Sequence, residues 1–354
     1  MWTDETGSAI VVALNIAQGI RSARPGGTRI RAAGEDADPT YLTHPDGGRL
    51  LAVYDGMGGA GGRVLLHRDG RAYSEAYFAS RWVRTAVEDW FLGSAGTSEV
   101  RGIDELQRSI RESVGTLRRQ LPVLRSSVRG SMDRALPTTL AALVVGPHQT
   151  GERPRPLTAI WAGDSRAFVL TATNGLQQLT TDHVRDGDVL SQLVNDAPLS
   201  NVISASHGFE LACQVLELPD PFIAVCATDG VFGYVRTPGE VEHLLLDALI
   251  LADSPESWAR RLARHVGRIT GDDASLVAAA IGFDSFDHLR TALVDRAVSV
   301  AHDQHDPFAG VAPDSTQFQE LRKATWQRYR ADYEARMPPR SRGAGLPARG
   351  SARG

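Results

Sequence analysis

Two runs constrain this chain more than any other feature: LLAVYDG at 50–56 and FIAVCATDG at 222–230. Each is an unbroken apolar stretch closed by an acid. Apolar runs without alternation read as strands buried on both faces, so the chain must build a layered core around them. AIWAGDSR (159–166) repeats the design with Asp164, and GDDASLVAAA (271–280) opens a strand with Asp272 and Asp273. Four strand ends therefore carry carboxylates, and one edge of the fold could gather them. Asp-Gly is first of all a turn signal, and five such pairs occur, at 46, 55, 69, 186 and 229. Asp55 and Asp229 stand apart because each ends a buried run.

The remaining pattern sets the fold class. SAIVVALNIA (8–17), TTLAALVVG, LTAIWAG, RAFVLTA, PFIAVCATDG and ASLVAAAIG read as strands, and YLTHPDGGRLLAVYDG as a hairpin turning at DGG. RVLLHRDGRAY, after Gly62, reads as irregular. Helical spacing marks 74–92, 102–121, 239–252 and 255–268. Runs of strands with grouped helices, without regular βαβ alternation, predict an α+β fold. At 354 residues with 42% hydrophobic and 23% charged residues, the chain has ample material for a core.

Beyond 283 the character changes. Helices near 285–302 and 315–336 look appended to a core of 8–282, and the tail from 337 to 354, with four arginines and no acid, predicts disorder. Cys213 and Cys226 rule out a disulfide scaffold and a thiolate zinc cage, and both read as buried hydrophobes. The acidic start and the absence of any ~20-residue apolar stretch predict a soluble cytoplasmic protein without a membrane partner. A net charge of −4 argues against a nucleic-acid footprint for the whole chain.

Gathered carboxylates raise one another's pKa and oppose folding. Mg²⁺ or Mn²⁺ would relieve this, because hard cations prefer oxygen donors and no Cys/His cluster competes. A second segment, RIRAAGEDAD, sets Arg31 four residues ahead of the acidic pair Glu35 and Asp36. If extended beside LLAVYDG, it could offer a guanidinium fork to phosphate oxygens and carboxylates to metal waters.

With these residues in view, the sequence resembles the metal-dependent protein phosphatases of the type 2C (PPM) class. The resemblance is carried in order by RAAGED (31–36), LLAVYDGMGG (50–59), PTTLAALVV (137–145), AIWAGDSRAFVL (159–170), LTTDH (179–183), NVIS (201–204), CATDGVFGYV (226–235) and GDDASLV (271–277). It implies a four-layer α-β-β-α sandwich, here with a C-terminal helical extension, and a binuclear Mn²⁺ or Mg²⁺ site at one end. It also implies hydrolysis of phosphoserine and phosphothreonine esters in proteins by a metal-activated water. Asp55 matches the bridging ligand, Gly56 a carbonyl ligand, Asp229 and Asp272 ligands of the second ion, and Asp164 a third position. Arg31 matches the phosphate-binding arginine, with Glu35 and Asp36 as the acidic pair. Residues 183–208 fall where the family carries a flap, and a cognate Ser/Thr kinase is the implied partner.

Several positions depart from the family pattern. Met57 stands where many members have a histidine that is a candidate general acid, which leaves a metal-bound water or another group as proton donor, with His67 and His183 as weak candidates. Ala60 and Pro137 also differ, NVIS lacks a common arginine, and 60–73 is longer than usual. These departures motivate the alternative, a non-catalytic phosphatase-like binding or regulatory domain.

Overall fold

A computed structural model describes residues 9–18, 21–23, 29–58, 64–68, 71–93, 102–121, 135–148, 153–184 and 198–339. Two five-stranded antiparallel sheets stack face to face. One orders β1 (Ala9–Ile16), β14 (Ala274–Ile281), β13 (Phe222–Ala227), β10 (Arg166–Thr171) and β11 (Gly175–Gln178). The other orders β12 (Ala212–Leu218), β9 (Arg155–Ala162), β8 (Leu140–Val145), β5 (Arg49–Val53) and β4 (Thr40–Thr43).

The unbroken apolar runs follow from this layering. In β5, Leu51 and Val53 face the opposite sheet, where they meet Ala224 and Val277, while Leu50 and Ala52 pack under helices. In β14, Val277, Ala279 and Ile281 fill the space between the sheets, and Leu276, Ala278 and Ala280 face outward into a second helical layer. Period-two geometry thus buries both faces of the central strands. Helices α1 (Glu75–Leu92) and α2 (Ile103–Gln120) cover one sheet through Val83, Val87, Trp90, Leu106 and Ile110. The other is covered by α4 (Pro238–Ile250), α5 (Pro255–Ile269), α6 (Phe286–Val300) and α7 (Thr316–Glu334). The four-layer α-β-β-α sandwich is therefore present. A one-turn helix, α3 (Asp229–Phe232), follows β13.

The structure differs from the sequence reading in three places. RVLLHRDGRAY is not irregular: β6 (Val64–Arg68) and β7 (Arg71–Ser74) pair antiparallel. They extend a small third sheet, β2-β3-β7-β6, through β2 (Arg21–Ala23) and β3 (Arg29–Ala32). The segment bearing Arg31 is extended as anticipated: its β3 part pairs with β2 and β7, and further on the Ala37 amide donates to the Tyr54 carbonyl at 3.1 Å, which sets the acidic segment beside LLAVYDG. Cys226 is buried, whereas Cys213 is exposed on the edge strand β12, whose residues alternate between exposed and half-buried. The helices beyond 283 share the main core, where Trp326, Tyr329 and Tyr333 pack with Phe168 and Leu176. Among the described residues, no helix is long and apolar enough to cross a membrane. Ala60, residues 185–197 of the anticipated flap and the tail from 340 lie outside the described residues.

Candidate metal centre

The acids leave the sandwich at one end because of where their strands stop. Asp55, Asp164 and Asp229 each stand two residues past a strand end, of β5, β9 and β13, and Asp273 immediately precedes β14. Asp55 is anchored through its backbone: its carbonyl accepts from the Thr139 amide at 2.8 Å and the Thr138 hydroxyl at 2.6 Å. The Thr139 and Ser165 hydroxyls lie 2.6 Å apart and join this turn to the one bearing Asp164. A Cβ on Gly56 would come within 2.6 Å of the Glu35 carbonyl, so only glycine lets the Asp55 turn and the acidic segment approach this closely.

Asp36 is buried, and the Thr228 hydroxyl donates to its Oδ2 at 2.9 Å. Burial, reinforced by the charges of Asp229 and Asp273, pushes the Asp36 carboxyl up to about 7. Asp55 is lifted well above the usual carboxylate range by burial and then by Asp229, Asp36 and Asp164. Burial, Asp229 and Asp182 do the same to Asp164. Asp36, Asp55, Asp164 and Asp229 thus form one mutually repelling group.

The donor chemistry of this group fits hard divalent cations. All four side chains offer carboxylate oxygens, and Asp36 Oδ1 and Asp164 Oδ1 are buried without a hydrogen-bond partner. Among the described residues, no three His, Cys, Asp or Glu side chains converge as a finished ligand set. The fit therefore rests on these two oxygens and the oxygen chemistry.

The adjacent pair at 272 and 273 divides. Asp272 is exposed, and its Oδ1 accepts the Asp273 amide at 2.8 Å. Asp273 holds the interior position: its carboxylate accepts the amides of Glu35 at 2.5 Å and Gln18 at 2.8 Å. A Cβ on Gly230 would collide with the Asp273 carbonyl, so Gly230 keeps the Asp229 turn against this one. Asp273 thus tethers the acidic segment through its two oxygens, while Asp272 lies toward solvent.

Glu35 is raised to about 7, chiefly by burial, with Asp273 and Asp272 adding to the shift against a hydrogen bond donated by Ser74. Arg31 lies on β3, four residues from Glu35; its side chain and that of His67 are outside the described residues. His183 does not face the cluster as a free acid. Its Nδ1 accepts the Gly163 amide at 3.1 Å, its ring stacks on Trp161, and burial lowers its pKa. The unusual Met57 and Pro137 meet through their backbones, Met57 donating to the Pro137 carbonyl at 3.3 Å.

Arg81 is a residue the sequence did not single out. Its guanidinium donates to the carbonyls of Gly34 (3.2 Å), Glu35 (3.3 Å) and Asp36 (2.9 Å), and Ser80 adds a 2.5 Å bond to Glu35 O. It also lies 3.5 Å from the Tyr77 ring centroid. A helical arginine carries no sequence signal when its partners are backbone oxygens.

No protein-family profile and no curated protein matches the sequence. Solved structures share the fold. The serine/threonine phosphatase Stp1 from Staphylococcus aureus is 17% identical with a TM-score of 0.53, over 77% of this chain and 94% of that one. The serine/threonine phosphatase PstP/Ppp from Mycobacterium tuberculosis is 20% identical with a TM-score of 0.53, over 77% and 99%. A bacterial serine phosphatase is 17% identical with a TM-score of 0.52, over 77% and 97%. Identities this low establish a common architecture and leave the chemistry to be argued from residues.

Proposed function

We propose, for a chain with the fold of the bacterial type 2C serine/threonine phosphatases, that it is a Mn²⁺- or Mg²⁺-dependent hydrolase of phosphoserine and phosphothreonine esters in proteins. The observation that supports this most is the group Asp36, Asp55, Asp164 and Asp229, gathered from four separate segments with two buried oxygens unpartnered. Nothing in core stability favours such a group, since burial and the Asp229 charge raise the cost of ionising Asp36, Asp55 and Asp164.

In this reading Asp55, Asp164, Asp229 and the Gly56 carbonyl hold the ions, with Asp273 taking the part first given to Asp272. Bound ions would supply Lewis acidity and an activated water for direct attack on phosphorus. Arg31, at the end of β3, is the residue to grip the phosphoryl oxygens with a guanidinium fork. Glu35 and Asp36 accept hydrogen bonds from the waters around the site and orient them. Thr138, Thr139, Thr228 and Arg81 hold these groups in place through the bonds described above. Phosphoproteins made by a Ser/Thr kinase of the same cytoplasm are the substrates this reading implies.

The test is phosphate release from a phosphothreonine peptide with Mn²⁺ against chelator. Asp55→Asn and Asp229→Asn should each lower turnover by about 100-fold or more. The same changes should raise the melting temperature of the metal-free protein by removing one of four repelling charges. Turnover like that of the wild type in either variant would refute the assignment. Mn²⁺ and phosphopeptide affinity with no phosphate release would favour the non-catalytic alternative.

A further inference from the structure

The segment from Gln177 to His183 forms a strap with two neighbours. On one side lies the end of α7. Gln177 Nε2 donates to the Asp332 carbonyl at 3.1 Å, and its Oε1 accepts Arg336 Nε at 2.9 Å. The Tyr333 hydroxyl donates to Gln178 Oε1 at 2.7 Å, and the Thr181 hydroxyl to the Pro338 carbonyl at 2.9 Å. On the other side lies the turn bearing Asp164. The His183 amide donates to the Gly163 carbonyl at 3.0 Å, and the Gly163 amide returns a bond to His183 Nδ1 at 3.1 Å. Asp182 accepts Nε at 3.0 Å and Nη2 at 2.6 Å from Arg166, the first residue of β10. The Arg166 guanidinium also lies 4.2 Å from the ring centroid of Phe232, in α3, the helix that Asp229 opens. Gln178 joins the two sides: its Nε2 donates to the Thr180 carbonyl at 2.8 Å and reaches Asp182 Oδ1 at 3.5 Å. One chain of contacts thus runs from Tyr333 through Gln178 and Asp182 to Arg166 and the turns bearing two candidate ligands.

Stability does not account for this arrangement. Trp326, Tyr329 and Tyr333 already hold α7 in the core that contains Phe168 and Leu176. A buried neutral hydrogen bond adds only ~1 kcal/mol net, but its directionality fixes position. Four such bonds from 332–338 all fall on residues 177–181. The side chains of Arg166, Asp182, Gln178 and Tyr333 are buried, so a displacement at one end meets no solvent that could absorb it. The charges of this chain also act on Asp164, that of Asp182 opposing its ionisation and that of Arg166 favouring it. α7 lies beyond GDDASLV, the last segment to carry the family resemblance, so the resemblance assigns it no role.

We propose that α7 is a positioning element of the metal centre: through Tyr333 and the 177–183 strap it fixes the Asp164 turn, and so sets the affinity for divalent cations. The inference rests on Asp164 acting as a metal ligand in the phosphatase reading. Tyr333 bonds to no candidate ligand and acts through Gln178, Asp182 and Arg166, so it is a positioning residue. Metal and helix are then linked in both directions, since whatever steadies the Asp164 turn also steadies the strap against α7.

The test is calorimetric titration of Mn²⁺ into the full chain and two variants. Tyr333→Phe/Thr181→Val removes two hydroxyls that join α7 to the strap and keeps the shapes of both side chains. Tyr329→Phe removes a buried hydroxyl one turn earlier on the same helix, which donates to Glu242 and not to the strap. The double variant should bind Mn²⁺ about 3- to 10-fold more weakly, and Tyr329→Phe should bind it like the wild type. In return, Mn²⁺ should slow hydrogen exchange at the end of α7 in the wild type, and less so in the double variant. Saturating Mn²⁺ should restore turnover of a phosphothreonine peptide by the double variant, because no group that touches substrate is changed. Unchanged Mn²⁺ affinity in the double variant, or an equal loss in Tyr329→Phe, would overturn the link and leave the phosphatase reading intact. Mn²⁺ binding without phosphate release in the wild type would instead refute the phosphatase reading, with the same titrations still deciding the link. A wild type that binds no Mn²⁺ would overturn both.

Discussion

The Glu35 amide lies 2.5 Å from the carboxylate of Asp273, a residue 238 positions further along the chain. The other oxygen of that carboxylate takes the Gln18 amide at 2.8 Å. One side chain thus ties the acidic segment to the end of β1 and the start of β14. Asp273→Asn gives up one of these charge-assisted bonds and should cost ~1–3 kcal/mol in urea unfolding. Asp272→Asn keeps the Oδ1 acceptor for the Asp273 amide, lies in solvent, and should fall within ~0.5 kcal/mol of the wild type. Manganese titration should follow the same order, with the larger loss of affinity at Asp273. A larger loss at Asp272 would return the role to the residue first assigned.

Arg81 presents a second test of how the acidic segment is held. Three consecutive carbonyls, those of Gly34, Glu35 and Asp36, accept from this one guanidinium. Arg81→Ala leaves them to compete for water inside a half-buried crevice and should cost ~2–4 kcal/mol. Arg81→Lys keeps the charge but cannot span three acceptors, so it should recover less than half of that loss. Added guanidinium ion should restore manganese affinity to the alanine variant more than to the lysine variant, as read by calorimetric titration.

Much of this architecture was legible because the central strands are buried on both faces. LLAVY, FIAVC and ASLVAAAI are continuous because period two gives one set of side chains to the opposite sheet and the other to helices. The same logic explains what stayed hidden. β12 reads ACQVLEL, an edge strand whose exposed and half-buried positions alternate around Gln214 and Glu217. β6 and β7 are masked by arginines, and the Asp69-Gly70 pair between Arg68 and Arg71 was their one hairpin signal, diluted among five such pairs. Acids at strand ends were visible as a pattern. Which of Asp272 and Asp273 turns inward depends on one residue of register, set by the turn in which the Thr270 hydroxyl donates to the Asp272 carbonyl at 3.0 Å. Arg81 was invisible because a carbonyl has no residue identity.

An acid-limb prediction comes from the opposite end of the sandwich. Arg155 donates through Nε at 3.0 Å and Nη2 at 2.5 Å to the two oxygens of Asp220. Burial alone would raise Asp220, but the hydrogen bonds and charge of Arg155 outweigh it and hold the carboxyl below its ordinary range. The folded value is therefore depressed relative to the unfolded ~3.9. Its stabilisation is fully present above that value and is lost as pH falls through the folded one. The stability difference between wild type and Asp220→Asn should stay level from pH 7 to about 5 and shrink below about 4. A difference that persists unchanged at pH 2 would show that Arg155 is not the cause.

Glu242 is fully buried, and it joins the helices beyond 283 to the rest of the core. Its carboxylate accepts Arg296 Nε at 2.5 Å and Nη2 at 2.9 Å, the Leu176 amide at 3.0 Å, and the Tyr329 hydroxyl. These donors come from α6, β11 and α7, so a single buried charge is neutralised only when all three elements are in place. Arg296→Met alone leaves that carboxylate buried without a counter-charge and should cost ~3–5 kcal/mol. Adding Glu242→Gln removes the charge while keeping acceptor oxygen for Leu176 and Tyr329, and should recover most of the loss. The cycle should therefore give a coupling above ~1 kcal/mol. Because Trp326 and Tyr333 share the core with Phe168, wild-type unfolding should be a single transition by calorimetry and by tryptophan fluorescence. A separate early transition, unaffected by Arg296→Met, would instead show that 283–336 folds apart from 8–282 and that the Glu242 contacts contribute little to joining them.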